Sequence, residues 1–185
     1  MQLHPMPEQA AMQTPALVVI DVQNDYFPGG AFPLWAPESA LEAAVRAIRL
    51  ARSRGMPVVL VQHVADAANG PARFFNPGST GAEIHPAVRE AAGDAPVVVK
   101  HFTDAFERTD LHATLQGLGV DALLLCGMMS HNCVTHTALA RAADAYRSVT
   151  VLRDASTTVS EVLHAIAMSA LAPRVVLATV EEALA

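Results

Sequence analysis

The sequence predicts a three-layer α/β/α fold around a six-stranded, mostly parallel sheet. Three observations predict it. The apolar runs are short and rich in β-branched residues: Ala16–Ile20, Val58–Val61, Val97–Val99, Ala122–Cys126, Val149–Leu152 and Val175–Ala178. They are near-continuous rather than alternating, which marks strands covered on both faces. Between them, apolar residues recur at helical spacing, and an alternation of strand and helix builds a doubly wound sheet with right-handed crossovers. A chain of 185 residues makes one such domain, residues 1–185, with residues 1–13 as an irregular N-terminal arm.

Each element has its local reason. The first strand ends at Asp21, and an irregular stretch, Asp25–Ala36, follows. Leu41, Ala44, Val45, Ile48 and Ala51 then share one helical face; Pro37 takes a first-turn position and Gly55 follows the end. The second strand ends at Gln62-His63. It opens into a long irregular stretch, Val64–Glu83, of a length that often serves as a lid or binding loop. The third strand ends at Lys100, and Thr109 is placed to cap a short helix ending near Gly117. After the fourth strand, which ends at Cys126-Gly127, Ser130 is placed to cap a helix running to about Tyr146. The fifth ends at Arg153-Asp154, and Ser160 is placed to cap a helix that stops before Pro173. Thr179 and Glu182 have capping-box spacing for a last helical turn.

Composition excludes several function classes. Eighteen acidic residues against 12 basic ones give a net charge of −6, which argues against a nucleic-acid partner. No apolar run approaches the roughly 20 residues of a membrane span, and the first residues lack the basic and apolar regions of a secretory signal. Two cysteines, Cys126 and Cys133, make no disulfide framework, so a cytoplasmic location is expected. Ala- and Leu-rich helical faces and a positive mean hydropathy point to a homo-oligomer. Eleven of the 12 basic residues are Arg, and Lys100 is the one Lys. A compact ammonium and a broad guanidinium are not interchangeable, so this position draws notice.

In an open parallel sheet a ligand sits at the carboxyl ends of the strands. That rule gathers Asp21, Lys100 and the turn Ser130-His131-Asn132-Cys133. Near a helix start, Cys133 would have unpaired N–H groups and a nearby ammonium to favour its thiolate. A carboxylate such as Asp21 would accept its proton and pass it on to a leaving group. Cys126, inside an apolar run, reads as a core residue.

Three ordered motifs carry a family resemblance. Ile20-Asp21-Val22-Gln23-Asn24-Asp25-Tyr26-Phe27 resembles the first signature of the isochorismatase-like cysteine hydrolases. Val99-Lys100 with Asp104-Ala105-Phe106 and Thr109-Asp110-Leu111 resembles the second. Gly127-Met128-Met129-Ser130-His131-Asn132-Cys133-Val134 with Thr137-Ala138 and Ala142 resembles the third. The resemblance implies a sheet order of 3-2-1-4-5-6 and a triad of Cys133, Asp21 and Lys100. It also implies a non-proline cis peptide at Met128–Met129 and an oxyanion hole formed by the N–H groups of Met129 and Cys133. The implied activity is hydrolysis of a C–N bond in a small amide or ureido compound through a thioester.

The pattern also departs from part of that family. Members acting on nicotinamide carry an Asp-x-His metal motif after the second strand; here the stretch is Gln62-His63-Val64-Ala65-Asp66. No metal and no cofactor are therefore expected, although His63 with Asp66 makes a weak metal pair. Candidate substrate-binding residues are Phe27, Gln62, His63 and Phe106, with Trp35, Phe74, Phe75 and Arg73 near the same strand-end loops. His131 and His136 flank Cys133, and His136 is the better placed of the two for a Cys–His dyad. Two other functions stay open: vinyl ether hydrolysis of the isochorismatase type, which needs the Asp and no thiol, and a catalytically silent or redox-sensing small-molecule binder.

Overall fold

A computed structural model describes residues 14–185; the expected N-terminal arm, 1–13, lies outside the described residues. Six parallel strands, β1 (Pro15–Ile20), β2 (Val58–His63), β3 (Val97–Lys100), β4 (Ala122–Met128), β5 (Ser148–Thr157) and β6 (Val176–Ala178), form one sheet. Their order is β3-β2-β1-β4-β5-β6, as the resemblance implies.

The central strand β1 shows why both faces had to be apolar. Leu17 and Val19 point into one core, shared with helices α1 (Pro37–Ser53), α2 (Pro86–Ala92) and α6 (Val180–Leu184). Ala16, Val18 and Ile20 point into the other, under α3 (Leu111–Gly117), α4 (Thr135–Ala138) and α5 (Glu161–Leu171). Period-two side-chain alternation thus feeds two separate cores from one continuous apolar run.

Several expected caps are present. Pro37 opens α1, the Ser160 hydroxyl accepts the Leu163 N–H, and Thr179 with Glu182 closes a full capping box. Thr109 accepts the Leu111 N–H at 3.3 Å from just outside α3.

Three local expectations differ from the structure. Ser130 caps nothing: its hydroxyl meets His164 Nδ1 at 3.0 Å. The long helix expected after it is broken into a wide turn (Ser130–Val134), the short α4 and a 3-10 turn (Arg141–Ala145). The Thr135 hydroxyl takes the Ser130 carbonyl at 2.6 Å, and the Val134 N–H reaches back to Met129, so the first turn closes wide. Second, β5 continues to Thr157, because its register against β4 shifts between Leu125 and Gly127 and extra residues are absorbed as a bulge. Third, α2 has no counterpart among the sequence expectations; Pro86 starts it and the His85 ring accepts the Ala87 N–H at 3.3 Å.

Asp25 ties the two long irregular stretches together. Its buried carboxylate accepts the Ala31 N–H at 3.0 Å and the Phe75 N–H at 2.7 Å. Gly81 packs so tightly against it that a Cβ there would stand 2.1 Å from Asp25 Oδ1.

Candidate active site

The site is assembled by sheet register. Asp21 directly follows β1 and its N–H still donates to the Val61 carbonyl at 3.0 Å. Its backbone then turns into the left-handed region at φ 53, a conformation that Asp tolerates better than most residues and that recurs at functional sites. This turn directs the carboxylate back over the sheet edge. Lys100 is the last residue of β3, paired in register with His63 on β2.

Strand β2 therefore lies between the lysine and the aspartate. Two interstrand spacings separate β3 from β1, about 9–10 Å, and the long lysine side chain crosses the end of β2 to close the gap. Its Nζ stands 2.7 Å from Asp21 Oδ2. The third residue arrives from β4. Gly127, at φ +123, lets β4 run against β1 where a Cβ would sit 1.9 Å from the Ile20 carbonyl. The Met128–Met129 peptide that follows is cis. The wide turn then delivers Cys133 Sγ to 3.3 Å from Lys100 Nζ.

All three side chains are buried; Asp21 and Lys100 are 0% exposed and Cys133 is 3%. Burial pushes the Cys133 thiol up to about 12, and the nearby Asp21 carboxylate adds to the rise; Lys100 opposes it. Burial and a neighbouring carboxylate outweigh the ammonium, so the proton rests on sulfur, within 4.8 Å of the carboxylate that would accept it. Burial alone would lower Lys100, but Asp21 and Cys133 outweigh it and hold the ammonium above its ordinary range.

His63 joins this group. Its Nδ1 lies 2.9 Å from Lys100 Nζ, and burial with the adjacent ammonium lowers the ring to about 4. Asp21, His63 and Cys133 offer metal-ligating atoms within 4.8 Å of one another. The ammonium of Lys100 lies within 3.3 Å of an atom of each, at the point where a cation would sit. The pair of His63 with Asp66 is not formed, because the Asp66 carboxylate turns to the Ala68 N–H at 2.9 Å.

The remaining candidates separate. Gln62 points away and donates to the Ala82 carbonyl at 2.8 Å, lining a surface cleft with Glu83 and Arg89. Phe27 is buried against the His85 ring, with centroids 4.5 Å apart. Phe106 packs against the core that contains Cys133, near Tyr146 at 6.1 Å. Trp35 lines a separate cleft with His164, and Arg73 lies 4.3 Å from the centroid of the Phe32 ring. His136 turns to its own backbone, with Nδ1 2.9 Å from the Asn132 carbonyl. His131 Nδ1 meets the Thr158 hydroxyl at 2.5 Å, so no Cys–His dyad forms.

Two residues at the site escaped the sequence reading. Tyr26 is buried beside it; burial first, then Asp21 and Cys133, raise its phenol well above its ordinary value. Gln23 is also buried, and its amide grips the His63 peptide from both sides: Oε1 accepts the N–H and Nε2 donates to the carbonyl, each at 2.8 Å. The signal for both was adjacency to Asp21 within the first motif.

Fold and site together define a doubly wound α/β protein with a buried thiol, carboxylate and ammonium in contact at the carboxyl edge of its sheet. The chain belongs to the isochorismatase family: the model of the isochorismatase domain matches residues 15–182. The isochorismatase family protein YddQ of Bacillus subtilis (strain 168) is 45% identical over 124 residues, 67% of each chain. Maleamate amidohydrolase of Pseudomonas putida is 31% identical over 150 residues, covering 74% of this chain and 70% of that one. An isochorismatase hydrolase group structure from Oleispira antarctica superposes with a TM-score of 0.83 at 35% identity, covering 96% of this chain and 99% of its own.

Proposed function

We propose that the protein is a cysteine hydrolase that cleaves the C–N bond of a small amide or ureido compound through a thioester. The observation that carries this reading is the contact of the three reacting groups. One ammonium touches both the sulfur and the carboxylate, and those two groups lie within 4.8 Å of each other. The likeness to an amidohydrolase supports the same chemistry.

In this reading Asp21 takes the Cys133 proton and the sulfur attacks the substrate carbonyl. Lys100 steadies the sulfur charge as it forms. The tetrahedral oxyanion is held by the N–H groups of Met129 and Cys133. Around them, the N–H groups of Asn132 and Val134 both close on the Met129 carbonyl, at 3.0 and 3.3 Å, which fixes the turn that carries them. The C–N bond breaks as Asp21 returns the proton to the leaving nitrogen. Water, giving its proton to Asp21, then attacks the thioester; the C–S bond breaks, the acid leaves, and Asp21 returns the proton to the sulfur.

Vinyl ether hydrolysis by Asp21 alone leaves the sulfur beside it without a task, so the amide reading is preferred. An ammonia-release screen over small carboxamides, carbamoyl amines, biuret-like compounds and ureido acids tests it. At least one class should release ammonia with wild type and none with Cys133→Ser. Release that survives in Cys133→Ser overturns the reading.

A further inference from the structure

Lys100 has more acceptors around it than protons to give. An ammonium carries three N–H bonds, yet four acceptor atoms surround Nζ: Asp21 Oδ2 at 2.7 Å, His63 Nδ1 at 2.9 Å, the Phe102 carbonyl at 3.1 Å and Cys133 Sγ at 3.3 Å. In the proposed reaction two of these change. Asp21 takes up and gives back a proton, and the sulfur passes from thiol to thiolate to thioester. The other two, a backbone carbonyl and an imidazole nitrogen, stay as they are.

We propose that His63 is a positioning residue of this site: its bare Nδ1 holds the Lys100 ammonium between Asp21 and Cys133 while those two groups change charge. The inference rests on the hydrolase reading only for the sequence of charge changes.

The fold makes His63 a fixed post. Its strand, β2, lies between the strands that carry Lys100 and Asp21, and His63 is in register with Lys100. The lysine chain therefore passes over it on the way to the carboxylate. Gln23, itself fully buried, clamps the His63 peptide at both ends and also donates to the Ala82 carbonyl at 2.7 Å. The ring rests near Phe75, with centroids 5.9 Å apart.

Tautomer follows from this contact. An ammonium can only donate, so Nδ1 must be unprotonated and the ring proton sits on Nε2. The groups facing the ring are Lys100, Asp21, Cys133 and His101, and His101 turns its own Nδ1 to the Val64 carbonyl at 2.7 Å. Protonating Nδ1 would set an imidazolium against the ammonium and push Lys100 off its post.

The test needs no substrate. The second-order rate of Cys133 alkylation by iodoacetamide is measured against pH in wild type, His63→Leu and His63→Asn, with peptide mapping to assign the label. His63→Leu fills the space without an acceptor, and His63→Asn offers an amide oxygen near the place of Nδ1 that does not titrate. With the ammonium loose, His63→Leu should alkylate about tenfold more slowly at neutral pH, equivalent to a rise of about one unit in the thiol pKa. His63→Asn should stay within about threefold of wild type. As pH falls toward 4, where the His63 ring takes its proton, the wild-type rate should fall faster than one decade per pH unit; His63→Asn should keep the slope of one set by thiolate fraction.

A folded His63→Leu with the wild-type rate overturns the proposal. If that variant does not fold, His63→Asn decides alone: a wild-type rate without the steep acid limb upholds the proposal, and an unchanged steep limb or a tenfold loss overturns it. A negative ammonia screen overturns the hydrolase reading and leaves these rates standing.

Discussion

The Lys100 ammonium lies 2.7 Å from the Asp21 carboxylate, and neither side chain is reached by water. Taking both charges out of water is costly, and each is tolerable only beside the other. Lys100→Met strands a buried carboxylate and should lower the unfolding free energy by about 3–5 kcal/mol, read by urea denaturation. The double variant Asp21→Asn/Lys100→Met should cost clearly less than the sum of the two single variants. Additive losses would show that the two groups do not depend on each other.

Gly127 decides whether β4 can close on β1. A Cβ there would overlap the Ile20 carbonyl at 1.9 Å, on a backbone at φ +123 that L side chains rarely adopt. Gly127→Ala should destabilise the chain by more than about 3 kcal/mol or abolish folding, because overpacking and positive-φ strain add. Thermal melting of the purified variant checks this; a melt within a few degrees of wild type contradicts the packing.

Burial pushes Cys126 and Cys133 each up to about 12. Between the ordinary thiol range and that value, the unfolded chain has lost protons that the folded chain keeps. Stability is therefore full below about pH 8.5 and falls as pH rises, by up to about 1.4 kcal/mol per pH unit for each thiol. Cys126→Ala should make the alkaline decline shallower. Unfolding curves at pH 8, 9 and 10 give the slope, and an unchanged slope contradicts the assignment.

Asp25 latches the two long loops through the Phe75 and Ala31 N–H groups. Asp25→Ala leaves both donors without their partner, one of them in a buried setting, at about 1–3 kcal/mol each. Hydrogen exchange should accelerate at Ala31 and Phe75 and leave the β1 amides unchanged. Uniform acceleration along the whole chain would mean a global effect in place of a local one.

Much of this was legible in the sequence because the physics is local. Short β-branched runs gave strands covered on both faces, and Ser160, Thr179 and Glu182 cap the helix starts their spacing indicated. Three motifs placed Asp21 and Lys100 at strand ends and Cys133 in the turn after the fourth strand, and the fold brings both Asp21 and Cys133 against the Lys100 ammonium. What escaped depends on distant partners. Its spacing makes Ser130 a cap, but His164, far along the chain, meets its hydroxyl at 3.0 Å. Gln62 and His63 are adjacent in sequence, and strand alternation sends one to a surface cleft and the other to the lysine.

The most direct measurement is the intact mass of the protein quenched in acid during turnover of an amide that releases ammonia. The account predicts an added mass equal to the acyl portion, mapped to the peptide bearing Cys133 and absent in Cys133→Ala. Turnover with no acyl adduct at any quench time, together with undiminished ammonia release from Cys133→Ala, would contradict it.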